Sequence, residues 1–115
     1  MKLLVVVNES PWQTGLALLA HRFAQQAVRS GASISAVFFR EDGVYNALAA
    51  EANDAGTPDL EKAWREMAIK ADTRLLLCSS SRLRRFKTLP PGPFEETGLT
   101  EMVELMLLSD RVVTF

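Results

Sequence analysis

Cys78, the sole cysteine of the chain, ends the apolar run Leu75-Leu76-Leu77 and is followed by Ser79-Ser80-Ser81 and then Arg82-Leu83-Arg84-Arg85. A sulfur at the carboxyl end of a strand, facing backbone amides of a following turn and several guanidinium charges, has its ionised form favoured. Thiolates are nucleophiles and thiols mostly are not, so the pattern points to a thiolate site. The opposing reading is that a single cysteine closing an apolar strand is small core filler. A third reading takes the serine run as a cradle of amides for a small anion, or as a plain turn. Arg82, Arg84, Arg85 and Lys87 read either as a solvated basic turn or as charges that lower the Cys78 pKa and attract an acidic partner.

Other chemistry finds little support. His21 could serve Cys78 as a base, as in cysteine hydrolases, but it falls mid-helix beside Arg22 and off the apolar stripe, which favours a boundary role. One Cys and one His fall short of a zinc site, so no metal is expected. None of the six glycines forms a dinucleotide fingerprint, and no Walker-type motif occurs. Trp64, Met67 and Phe23 are explained by packing, and no cofactor is expected.

The elements that must position Cys78 follow from hydrophobic pattern. Leu3 to Val7 is continuous and apolar, as in a strand buried on both faces of a parallel sheet. Ser10, Pro11 and Gln13 form a capping box that predicts a helix start, with Leu16, Leu19, Ala20, Phe23 and Ala27 as its stripe up to Gly31. Ile34 to Phe39 reads as a second strand, parallel to the first, closed by a turn over Arg40-Glu41-Asp42-Gly43. Residues 44–56 read as a short alanine-rich helix and a mobile loop. Thr57-Pro58 restarts a helix with Leu60, Ala63, Trp64, Met67 and Ala68 inward. Arg74 to Cys78 is the third strand, followed by one helical turn over residues 79–85. Pro90, Pro91 and Pro93 keep residues 86–94 irregular. A helix through Leu99, Met102, Val103 and Met106 is apolar nearly all round, so its second side calls for cover by another subunit. Arg111 to Phe115 is a last short strand.

Strands alternating with helices predict a three-layer α/β/α fold on a mostly parallel sheet. At 115 residues and 48% apolar, one domain over residues 1–115 can bury a core without a disulfide or metal staple. Ligand chemistry in such sheets collects at the carboxyl ends of strands, which places Asn8-Glu9, Arg40-Glu41 and Cys78-Ser79 on one rim. The net charge of −1 argues against a dedicated nucleic-acid binder. The five-residue run after Lys2 is too short for a signal core or a membrane span, so a cytoplasmic location, with no membrane partner, is expected.

The block Phe38-Phe39-Arg40-Glu41-Asp42-Gly43-Val44-Tyr45-Asn46-Ala47, Cys78 with Leu83-Arg84-Arg85, Gly98-Leu99 and the ending Ser109-Asp110-Arg111-Val112-Val113-Thr114-Phe115 resemble the TusD/DsrE family of sulfur-relay proteins over nearly the whole chain. The resemblance implies a DsrEFH-like fold and a cytoplasmic sulfurtransferase subunit in which the residue matching Cys78 carries sulfane sulfur as a persulfide. It implies a heterohexamer with TusC/DsrF-like and TusB/DsrH-like subunits, a TusA-like donor and a TusE/DsrC-like acceptor. The sulfur would go to 2-thiouridine at the tRNA wobble position, without direct nucleic-acid contact, or in sulfur oxidisers to a dissimilatory relay. Around Cys78, amides near Ser79 and Ser80 with Arg84 or Arg85 are expected to stabilise the anion, and Tyr45 and Asn46 to line the rim. A structural or anion-binding subunit with an inert, buried Cys78 is the competing reading. Two departures from the family stand out: Ser109 occupies a position where cysteine is common, and Phe86 replaces the glycine after the arginine pair.

Overall fold

The computed structural model describes residues 1–48, 59–89 and 91–115. The expected loop beyond residue 48, the restart at Thr57-Pro58 and Pro90 lie outside the described residues. Five strands form one sheet: β1 (Lys2–Val7), β2 (Ser33–Phe39), β3 (Arg74–Cys78), β4 (Phe94–Thr97) and β5 (Arg111–Thr114). Their order is β4-β3-β2-β1-β5, and every neighbouring pair is parallel. The helices are α1 (Leu16–Arg29), α2 (Leu60–Ala71), α3 (Ser79–Leu83) and α4 (Leu99–Leu108), with a 3-10 helix over Glu41–Ala47.

Side chains alternate across the sheet. Leu3, Val5, Val7, Val37, Phe39, Leu75 and Leu77 pack with α1 and α2 on one face. Leu4, Val6, Ala36, Phe38, Leu76 and Cys78 form the other face, under Met102 and Leu105 of α4. This is the three-layer α/β/α arrangement. A β-bulge sets the phase of β2: Leu3 pairs with Ile34 and Leu4 with Ala36, so Ser35 is the extra residue. Its hydroxyl donates to Leu3 O at 3.0 Å. Beyond the bulge the register runs evenly from Leu4–Ala36 to Val7–Phe39.

Two expectations need correction. The capping bonds at Ser10 do form, with Ser10 N donating to Gln13 Oε1 at 2.9 Å and Trp12 N to Ser10 Oγ at 3.3 Å, yet α1 starts only at Leu16. Gly15 is the reason: its φ of 87° lies in the left-handed region, which ends the first turn before a helix can propagate. The buried residues of α1 are Ala17, Ala20 and Ala24, while Leu19 is 53% exposed. Small side chains let this helix lie close to the sheet. The second correction is β4, whose first residue, Phe94, had been read as irregular. Phe94 is buried and packs against Phe39 at 5.8 Å, and that anchor holds a short polar edge strand beside β3.

α2 follows its pattern. Asp59 caps it by accepting from Lys62 N at 3.2 Å, and Leu60, Trp64, Met67 and Ala68 are buried. α4 buries none of its residues. Leu107 is 81% exposed and Leu108 66%, beside exposed Val103 and Met106. Among the described residues, no helix is long and apolar enough to cross a membrane.

Candidate functional site

The carboxyl ends of β1, β2 and β3 lie side by side, so Asn8, Arg40 and Cys78 do share one rim. The 3-10 helix after β2 and α3 after β3 pack together above it. Gly43 lets the 3-10 helix also lie close against the end of β1, because a Cβ there would collide with the Val7 carbonyl. Asn46 locks it: its Nδ2 donates to Glu9 O at 3.0 Å and Gly43 O at 2.8 Å, and its Oδ1 accepts from Trp64 Nε1 at 3.2 Å.

Cys78 is 3% exposed. It is not enclosed by hydrocarbon on every side. Its Sγ lies 3.3 Å from the hydroxyl of Ser80, itself exposed at the rim, so one side chain separates the sulfur from water. Burial pushes the Cys78 thiol pKa up, but hydrogen bonds from the Ser80 and Ser81 hydroxyls and the Ser81 and Ser80 backbone amides together outweigh it. The net direction is down from the ordinary thiol value. Ser81 is the member that sequence reasoning had not singled out. Its Oγ accepts from Glu41 N at 3.0 Å, which leaves its own proton for the sulfur.

The basic residues sit otherwise than expected. Arg82 is buried, paired with Glu96, and donates to Phe86 O at 3.0 Å and Lys87 O at 2.7 Å. Arg85 bonds Asp42 at 2.8 Å and Glu41 at 3.3 Å, and donates to Ser81 O at 3.0 Å. These guanidiniums clamp the turn that carries Ser81, and none of them figures among the causes of the Cys78 shift. Arg84 is exposed at the end of α3, and Ser79 is half-buried at its start. Glu41 holds a positive φ of 49°, a strained position kept in place by the Ser81 and Arg85 contacts.

Asn46 is 0% exposed with three hydrogen bonds, so it braces the rim from inside and has no surface to offer a partner. Tyr45 is half-buried between Trp12 at 5.6 Å and Phe86 at 5.9 Å. Phe86 thus completes an aromatic row. His21 lies on the far face of the sheet, its Nε2 3.1 Å from Ala63 O and its ring edge-on to Trp64 at 5.0 Å. It lines a cavity of about 230 Å³ between α1 and α2 with Val28, Glu66 and Lys70. Burial, with a smaller contribution from Arg22, lowers its pKa against the opposing Ala63 bond, and the sheet separates it from Cys78. Ser109 bonds Leu105 O at 2.7 Å beside the Ser35 hydroxyl, at the opposite end of the sheet from Cys78. Among the described residues, no cluster of three His, Cys, Asp or Glu side chains could hold a metal ion.

A five-stranded parallel sheet holding a hydrogen-bonded cysteine at a strand-to-helix junction defines an α/β fold of the thiol-bearing kind. The chain belongs to the DsrE/DsrF-like family, whose family model matches residues 1–115. Two curated relatives, each named Sulfurtransferase TusD homolog, come from Vibrio parahaemolyticus serotype O3:K6 (strain RIMD 2210633) and Vibrio vulnificus (strain CMCP6). They are 38% and 35% identical to it over 127 aligned positions, covering 96% of this chain and 95% of each relative. The crystal structure of the ychN protein from E. coli superposes with a TM-score of 0.84 at 20% identity, covering 100% of this chain and 99% of that one, and shows the shared fold.

Proposed function

We propose that this chain is a sulfurtransferase subunit of a sulfur-relay complex and that Cys78 is its carrier. The observation that carries the reading is a thiol at the end of β3 lying 3.3 Å from the Ser80 hydroxyl, its pKa drawn down by the serine hydroxyls and amides around it, in a chain whose relatives are named as sulfurtransferases. The Cys78 thiolate attacks the outer sulfur of a donor persulfide, R–S–SH. A new S–S bond forms to Cys78, the donor's S–S bond breaks, the donor leaves as a thiolate, and the proton stays on the transferred sulfur. An acceptor thiolate then repeats the step on Cys78–S–SH and restores the Cys78 thiolate. No outside oxidant or reductant is needed.

The donor in this reading is TusA-like, the acceptor TusE/DsrC-like, and the destination the wobble 2-thiouridine of tRNA, in the cytoplasm. The exposed apolar face of α4 supports assembly with TusC/DsrF-like and TusB/DsrH-like subunits. Arg84, exposed and without a salt bridge among the described residues, and Tyr45 in the aromatic row remain available to a docking partner.

The 3% exposure of Cys78 favours one rival, a structural subunit with an inert thiol. Thiol labelling and isotopic sulfur transfer separate the two. The carrier reading expects alkylation of Cys78 at neutral pH, uptake of labelled sulfur from a persulfide donor, and loss of both uptake and tRNA 2-thiouridine in Cys78→Ser. Slow alkylation and unchanged thiouridine in that variant would establish the rival.

A further inference from the structure

The rung of the sheet beyond Val7, Phe39 and Leu77 is made of Asn8, Arg40 and Cys78. The register Val6–Phe38–Leu76 runs across three adjacent strands, and two residues further on these three stand side by side. Arg40 N continues the ladder by donating to Val7 O at 2.9 Å, and its backbone stays extended at φ −123°, ψ 163°. Alternation therefore sends the Arg40 side chain to the face of Phe38, which is the face of Cys78.

Among the described residues, two buried side-chain atoms have no hydrogen-bond partner: Asn8 Oδ1 and Arg40 Nε. Both belong to that rung. Arg40 stands on the strand next to Cys78 and Asn8 one strand beyond it; buried polar groups are almost always satisfied, so a donor and an acceptor left open along this rung call for a shared occupant. Arg40 also forms no salt bridge among the described residues, whereas Arg82 and Arg85 are held by Glu96, Asp42 and Glu41.

We propose that Arg40 and Asn8 form the seat for the outer sulfur of a persulfide on Cys78. This rests on the carrier reading and assigns it a binding site. Loading moves the ionisable atom outward by one S–S bond, roughly 2 Å, away from Sγ and the serine hydroxyls that serve it. A persulfide is more acidic than its thiol, so the outer sulfur exists as S–H and S⁻. The Asn8 amide oxygen accepts from the S–H form. Arg40 Nε–H donates to the S⁻ form, where the hydrogen bond is charge-assisted. No bond is made or broken in this seating; it holds the loaded state between the donor and acceptor steps.

The test loads the full chain with glutathione persulfide and reads the gain of one sulfur on Cys78 by mass spectrometry, then follows its removal by excess dithiothreitol. Arg40→Gln should show a loaded fraction roughly tenfold lower at neutral pH, with the difference shrinking as acid protonates the outer sulfur. Arg40→Lys, which keeps the charge without the Nε donor, should fall between, and gives the comparison should the glutamine variant fold poorly. Arg22→Gln, an exposed charge on α1, should load like the wild type. Equal loading and lifetime in Arg40→Gln, Arg40→Lys and wild type overturn the seat while leaving the carrier reading standing. A wild type that takes up no sulfur overturns the carrier reading, and the seat with it.

Discussion

On one face of the sheet, Trp64 meets Phe39 at 5.3 Å and His21 at 5.0 Å, Phe39 meets Phe94 at 5.8 Å, and two helices close over them. On the other face, six buried residues are covered by Met102 and Leu105 of a single helix whose outer side is apolar and bare. The same strands serve both faces, so the difference lies in the finishing. The closed face carries the stability, and its histidine is tied to Ala63 O and Trp64. The thin face carries the thiol, the orphaned polar atoms and the surface left for a partner. The hydrogen-bonded thiol and the incomplete cover thus lie on the same face.

Substitutions on the two faces should therefore separate. Trp64→Ala should be the most severe for folding, costing about 3–5 kcal/mol as a large ring is lost, with the Asn46 amide oxygen left unpaired as well. Chemical denaturation measures it, and a cost under about 1 kcal/mol would erase the contrast between the faces. Ser81→Ala should act on the thin face through chemistry. With one donor to the sulfur gone and burial still opposing ionisation, the thiol pKa rises. The alkylation-rate profile should then shift to higher pH, with a several-fold slower rate at neutral pH. An unshifted profile would mean that Ser80 and the amides suffice. Leu107→Gln should be the mildest, within about 0.5 kcal/mol for the isolated chain because the side chain already faces water. Its effect should appear in assembly, as weaker co-elution with partner subunits.

Much of this arrangement was legible in the sequence. The apolar runs of β1, β2 and β3 and the stripe of α2 carry strong periodic patterns because each element is buried continuously. The placement of Asn8, Arg40 and Cys78 on one rim followed from strand ends alone. What escaped depends on partners distant along the chain. Phe94 looks like the end of a proline-rich loop until Phe39 receives it. The arginines look like free charge until Glu41, Asp42 and Glu96 are brought to them. Asn46 reads as a polar rim residue, yet the indole of Trp64 and the backbone at Glu9 and Gly43 take it inside. The face on which Arg40 emerges is set by one extra residue at Ser35, and a single-residue shift in register has no signature in composition or period.

The pairing of β5 with β1 also bears on how the molecule is made. Asp110 N bonds Lys2 O at 2.7 Å and Phe115 N bonds Val6 O at 2.8 Å, so β1 waits for β5, far along the chain, before its outer edge is covered. Until β5 is made, that edge is an open template of amides and carbonyls on a strongly apolar strand. The nascent chain thus depends on prompt completion, or on chaperone shelter, to avoid pairing with its neighbours on the same message.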